Sequence, residues 1–164
     1  MGEDTVDETL VTRRATADDL VDLVDLAEAA IAEKGDQKGG AVWARRESRG
    51  LPVRPSLEAV LAADDQAAVL GLFHGATVGY GVVRVDTLAD GGRLGVVEDL
   101  FVDPGAREVG LGEALMDWML AWCREQGCFG VDSLALPGDR LTKNFFESFG
   151  LVARAIVVHR SLET

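Results

Sequence analysis

The sequence predicts an α/β fold of the mixed α+β kind, with a central sheet that begins as an antiparallel meander and is flanked by helices. Three observations predict it. Segments with helical spacing alternate with apolar, strand-like runs along the chain. Three of those runs, residues 69–74, 77–85 and 92–102, follow one another across two hairpin connections, His74-Gly75-Ala76-Thr77 and Asp90-Gly91-Gly92-Arg93. The third run then passes through a glycine-punctuated loop straight into an amphipathic helix.

Taken in order, residues 10–14 read as a short strand. Thr16 followed three residues later by Asp19 makes a capping-box-like start, after which Leu20, Leu23, Val24, Ala27, Ala30 and Ile31 recur on one helical face until Gly35 stops it. Residues 34–55 carry glycines and prolines and read as a flexible loop. Within it Arg45, Arg46, Arg49 and Arg54 gather around Trp43. A short helix follows Ser56 on Leu57, Val60 and Leu61, and the meander comes next. A long helix over residues 111–126 uses Leu111, Leu115, Trp118, Met119 and Trp122 and ends at Gly127. Residues 131–136 read as a buried strand, residues 139–148 as a helix ending at Gly150, and residues 151–162 as a last strand or hairpin. Residues 1–9 are expected to be a disordered tail, and the whole chain, 1–164, a single domain.

The chemistry is concentrated in residues 97–120, VEDLFVDPGAREVGLGEALMDWML. Pro104-Gly105 stops the strand, and Gly110 and Gly112 remove side chains where the loop turns into the helix. The first N–H groups of a helix have no intrahelical acceptor and lie at the positive end of its macrodipole, so such a loop can hold a phosphate by backbone alone. Two commoner phosphate loops fail on the residues. No Lys-Ser or Lys-Thr follows the glycines, and the G-x-G-x-x-G spacing of dinucleotide sites is absent.

What remains, Arg107-x-x-Gly110-x-Gly112 after a strand, resembles the coenzyme A signature of the GNAT superfamily of N-acetyltransferases. Downstream, Asn144-Phe145-Phe146-Glu147-Ser148-Phe149-Gly150-Leu151 resembles that family's second cofactor motif. The resemblance implies a mixed sheet in which the strand before the signature and the one after the long helix run parallel and splay apart, with the pantetheine arm of acetyl-CoA, or another acyl-CoA, in the gap. It assigns the cofactor to the backbone of Leu100, Phe101 and Val102, to the N–H groups of Arg107, Glu108, Val109, Gly110, Leu111, Gly112 and Glu113, and to Asp139 and Phe146. Glu108 and Glu113 depart from the family pattern and stand close to the expected diphosphate. Asp139 stands where an Asn is usual, and can still cap a helix.

The implied reaction moves an acyl group from a thioester to the primary amine of a small molecule or peptide. Glu98 and Asp99 interrupt an otherwise apolar run, and carboxylates in a central strand must be solvated, paired or used. Alternation sends adjacent side chains to opposite faces unless a bulge intervenes, and Glu98 is the first choice for base or amine contact. A salt bridge to Arg84 or Arg93 would account for such a carboxylate equally well. Phe146 stands where many members carry a Tyr that protonates the leaving thiolate; Tyr80, the only tyrosine, replaces it only if its strand faces the cleft. Trp43 either closes over the acceptor or packs on the core or a partner subunit. The competing reading, supported by Phe146, Glu108 and Asp139, is a non-catalytic acyl-CoA-binding sensor or assembly module.

Composition narrows the partners. A net charge of −12 argues against nucleic acid and favours a cationic amine, although solubility alone would explain the acidic excess. No apolar run approaches the ~18 residues of a membrane span, and the acidic start is unlike a signal peptide. Cys123 and Cys128 read as packed, reduced thiols of a cytoplasmic protein. His74 and His159 lack ligand spacing, so no metal is expected. The apolar run Ile156-Val157-Val158 fits either a homodimer interface or an internal strand.

Overall fold

The computed structural model describes residues 9–163. The expected N-terminal tail therefore lies, Thr9 apart, outside the described residues. Five strands, β1 (Leu10–Arg14), β2 (Gln66–Phe73), β3 (Ala76–Thr87), β4 (Arg93–Val102) and β5 (Gly130–Ser133), form one sheet in the order β1-β2-β3-β4-β5. The first four are antiparallel, and β5 joins β4 in parallel. Five helices flank the sheet: α1 (Leu20–Gly35), α2 (Gly40–Arg46), α3 (Arg54–Ala62), α4 (Leu111–Glu125) and α5 (Arg140–Ser148).

Local chemistry accounts for the turns. His74 (φ 49°) and Gly75 (φ 80°) both take positive φ, the two-residue turn whose twist matches that of the flanking strands. Thr16 and Asp19 form the capping box before α1.

Strand alternation divides the core in two. Val69, Val83 and Val97 meet α4 on one face, whereas Ala68, Leu70, Tyr80 and Val82 meet α1 and α3 on the other. The α4 side is packed unusually close. The helix's i,i+4 ridge of Leu111, Leu115, Met119 and Cys123 lies over strand glycines Gly71, Gly79, Gly81 and Gly95. A Cβ built at Gly81 would fall 2.7 Å from Met119 Sδ, and one at Gly95 would fall 2.5 Å from Cys123 Sγ. Glycine in these strands is a packing requirement: each removes the atom that would hold the helix off the sheet. Trp122 is buried in the same cluster, as its helical spacing implies.

The helix α4 ends in a Schellman motif: Gly127 N donates to Arg124 O, and Cys128 N donates to Cys123 O, both at 3.0 Å. Cys123 and Cys128 thus occupy the paired positions that close such a cap. Burial pushes the Cys123 thiol up to about 12, which keeps it protonated and inert.

Three expectations are corrected. The irregular segment 34–55 contains the helix α2, and α3 begins at Arg54 with Pro55 in its first turn, where a missing N–H costs nothing. β5 stops at Ser133 and does not reach Leu136. The strand expected over residues 151–162 is not formed. After Gly150 (φ 82°) ends α5 and Leu151 rests on the core, residues 152–163 run without secondary structure, with Ile156, Val157 and Val158 at 86–89% exposure. Arg154 ties this arm to Asp132 of β5 through a forked ion pair. The residues have strand propensity, but a strand exists only where an edge pairs with it.

Candidate active site

The candidate site lies where β4 and β5 part. Their parallel ladder runs from Leu94↔Gly130 to Val97↔Ser133 and stops there. From Glu98 to Val102, among the described residues, no strand pairs with the β5-facing side of β4. That open edge is the splay which the family resemblance implies, and it leads toward the loop before α4.

The loop is an anion cradle in its geometry. Gly110 caps α4 at φ 84°, a left-handed conformation that suits glycine, and a side chain there would meet nothing within 4 Å. Gly112 lies on the first turn with the Phe145 ring 3.5 Å from where a Cβ would stand. Arg107 closes the short 3-10 turn and residues 107–108 form a turn, whereas no backbone N–H from Gly110 through Glu113, among the described residues, donates to an acceptor within the chain. Glu108, Val109 and Glu113 are exposed beside it. The Arg107 side chain turns away from this cradle: its Nε donates to Val102 O (2.9 Å), its Nη2 to Glu33 of α1 (2.5 Å), and its guanidinium lies 5.6 Å from the centre of the Phe101 ring. It buttresses the end of β4, leaving only its backbone to the loop.

A bulge decides the orientation of the two carboxylates. Val82 pairs with Asp99 and Val83 with Val97, so Glu98 is the extra residue on β4. The bulge shifts the alternation by one position: Val97 faces α4, whereas Asp99 and Phe101 face α1 and α3. Glu98 and Asp99 therefore reach the same cation, Arg49. Its Nη2 donates to Glu98 Oε2 (2.7 Å) and Asp99 Oδ1 (2.9 Å), and its Nε donates to Asp99 Oδ2 (2.9 Å). The Glu98 Oε1 atom accepts from Arg84 Nη1 at 2.7 Å, the salt bridge anticipated from the sequence, while Arg93 is engaged by the Gln126 carbonyl. Arg84 also pairs with Asp86.

Tyr80 joins this network from below. Its hydroxyl donates to Asp99 Oδ2 at 2.7 Å, and the residue is 1% exposed. Burial, reinforced by Asp99, raises its pKa well above the ordinary phenol value. The hydroxyl proton is held against Asp99 in the core, so β3 does not present Tyr80 to the cleft as a substitute acid. Phe146 is buried among the residues packed on α4. Asp139 caps α5, accepting from Thr142 N at 3.0 Å and from the Thr142 hydroxyl at 2.6 Å. Trp43 lies on α2 with Lys34 Nζ 5.3 Å from its ring centroid. Burial lowers the Lys34 pKa despite Asp139, Asp99 and Glu33 nearby.

Arg49 is the residue that sequence reasoning missed as a member of the site. It stood in a cluster of four arginines around Trp43, and nothing local distinguishes it from Arg45 or Arg46. A signal was present: two carboxylates in an apolar strand require a cation. The neighbouring strand supplies only one of the two cations, Arg84, and the other lies about fifty residues upstream in sequence.

Among the described residues no helix is long and apolar enough to cross a membrane, and no group of His, Cys, Asp or Glu is placed to hold a metal ion. No curated protein sequence matches the chain. Solved structures match it closely in shape. A transcriptional regulator from Bacillus halodurans C-125 is 18% identical with a TM-score of 0.70, covering 93% of this chain and 99% of its own. The aminoglycoside N-acetyltransferase AAC(6')-Iy in complex with CoA is 16% identical with a TM-score of 0.73, covering 93% and 95%. Glucosamine-6-phosphate N-acetyltransferase from Arabidopsis thaliana is 18% identical with a TM-score of 0.67, covering 95% and 100%. At these identities the likeness is one of fold. The family is fixed by sequence: residues 33–151 match the model of the acetyltransferase (GNAT) family, and the chain belongs to that family of acetyltransferases.

Proposed function

We propose that the protein transfers an acetyl group from acetyl-CoA, or another acyl-CoA, to the primary amine of a small molecule or peptide, with Glu98 as the amine contact and base. The single observation that carries this reading is the continuity of the open β4 edge, from Glu98 through Leu100, Phe101 and Val102, with the loop that leads to the free N–H groups of residues 110–113 at the start of α4. Those amides and the start of α4 would hold the diphosphate, and the free backbone of the strand would align the pantetheine arm as an added strand.

The acyl-CoA supplies the thioester. The amine nitrogen forms a bond to the acyl carbon and gives a proton to the Glu98 carboxylate, the carbon–sulfur bond breaks, and the departing thiolate takes a proton from solvent, to which Glu98 then returns its own. Solvent takes this role because Phe146 has no proton to give and Tyr80 holds its own on Asp99. Solved neighbours named for aminoglycosides and for glucosamine-6-phosphate support a small-molecule amine. We place the enzyme in the cytoplasm, where its two thiols stay reduced.

Free thiol release from acetyl-CoA over a panel of polyamines, aminoglycosides, amino acids and peptide N-termini tests the reading. Turnover with at least one primary amine is expected. Tight CoA binding with no turnover across the panel would overturn it in favour of a sensor or assembly module.

The exposed arm gives the same reading a quaternary side. We propose a homodimer in which each arm docks on a second copy of this chain along the outer edge of β5, which ends the sheet unpaired. Val152, Ile156, Val157, Val158 and Leu162 are 81–89% exposed, and burying an arm of this length on each side approaches the roughly 800 Å² per partner of a stable interface. Sedimentation is expected to give a dimer for the intact chain, and a monomer for the chain ended after Leu151 and for Val157→Asp. An intact chain that sediments as a monomer refutes it.

A further inference from the structure

The carboxylate pair and its arginine are not equivalent partners. Arg49 makes a forked, two-bond pair with Asp99 and a single bond with Glu98. Asp99 is also held by the buried Tyr80 hydroxyl, so both of its oxygens are fully engaged. Its side chain is 14% exposed and that of Arg49 is 9%. Separating these two would strand a half-desolvated carboxylate beside a buried phenol, the kind of loss that costs most in a protein interior. Separating Arg49 from Glu98 strands nothing: Glu98 keeps Arg84 on its other oxygen, is 20% exposed, and sits on a bulge at the mouth of the open edge.

We propose that Arg49 is a positioning residue that stays anchored on Asp99 and yields Glu98 to the incoming amine. Acceptor binding is then an exchange of one hydrogen bond at Glu98 Oε2, in which an amine N–H takes the place of Arg49 Nη2. The anchor does a second job. Arg49 lies in the connection between α2 and α3, so its grip on Asp99 fixes the segment that follows Trp43 against β4. This assignment rests on the transfer reading given above for Glu98. It gives Asp99 and Tyr80 one shared task, which is to hold Arg49, and removes both from the chemical step.

Two measurements test it. In steady-state assays with the best acceptor, Arg49→Ala and Asp99→Asn are each expected to raise the acceptor KM about tenfold or more while the Kd for CoA stays within about twofold. The double variant is expected to be no worse than either single one, and millimolar guanidinium is expected to restore part of the Arg49→Ala activity. A KM for the amine that falls in Arg49→Ala would show that Arg49 merely blocks the site, and an unchanged KM would remove it from acceptor binding; either overturns the proposal. The second measurement needs no turnover. Urea-unfolding double-mutant cycles, with Arg49→Gln as the variant should Arg49→Ala fail to fold, are expected to give a larger Arg49–Asp99 coupling than Arg49–Glu98 coupling. Equal couplings, or the reverse order, refute the anchor. A wild-type protein that turns over no amine defeats the transfer reading alone, and the cycles still decide which carboxylate Arg49 holds.

Discussion

Glu98→Gln is expected to lower kcat for acetyl transfer by about 10²–10⁴, the range that positioned general bases contribute, while the affinity for acetyl-CoA changes by less than about twofold. The substitution keeps the shape of the side chain and removes its ability to take a proton. It also changes the hydrogen bonding in a definite way. Glu98 accepts from two guanidinium groups, one on each oxygen, and an amide has only one oxygen to offer. Its NH2 must face either Arg49 or Arg84, donor against donor, so one of those contacts opens. The cofactor cradle lies beyond the end of β4 and shares no bond with Glu98. Steady-state kinetics paired with direct titration of CoA separate the two effects. Loss of CoA affinity together with kcat would show that Glu98 supports the fold of the cleft and does not take part in the reaction.

The second large effect is expected at Gly110, where conformation and space can be told apart. A side chain there would touch nothing within 4 Å, so any loss on substitution comes from the backbone angle of 84°. An ordinary residue pays about 1–2 kcal/mol for the left-handed region, and a β-branched one more. The loop can relieve that strain only by turning its peptide groups, and these carry the N–H donors. Gly110→Val is therefore expected to raise the Kd for CoA about tenfold or more, whereas Gly110→Asn, whose side chain tolerates this region, stays within about threefold. Calorimetric titration of both variants checks this, with circular dichroism to verify that α4 persists. Equal behaviour of the two variants would mean that those amides do not meet the ligand.

Several signals carried by adjacent residues hold in the structure. The His74-Gly75 turn follows from two residues able to take positive φ, the Thr16/Asp19 cap from a spacing of three, and the apolar ridge of α4 from a repeat of four. The order of strand, glycine cap and helix start was legible for the same reason: the three are contiguous, so their geometry is a property of one short segment. Reading the family from Arg107-x-x-Gly110-x-Gly112 succeeded because that signature lies within one short segment of sequence. Even there, the arginine side chain does something local pattern does not foretell, reaching back to Val102 and across to Glu33.

Other features depend on what lies opposite in space. Alternation along β4 would have sent Glu98 and Asp99 to opposite faces, and only the pairing of β3 with β4 inserts the extra residue that reverses the phase. The role of Gly71, Gly79, Gly81 and Gly95 as a seat for α4 is invisible along any one strand, because the clash each avoids is with a helix residue 28–40 positions further on. The residues after Leu151 have the composition of a strand yet pair with none of the described strands, since β-structure is a relation between edges and composition alone does not make the pairing.

The chain's own order of residues thus settles the main helices, the meander and its turns, and the glycine-capped start of α4, since each of these is decided by neighbours a few positions apart. Folding in three dimensions alone settles that Arg49 meets the carboxylate pair, that Tyr80 turns its hydroxyl inward, and that the last residues stand free. Those outcomes depend on a register slip of one residue and on partners some twenty to fifty positions away, and side chains so separated are brought together by the packing of the sheet and by no local preference.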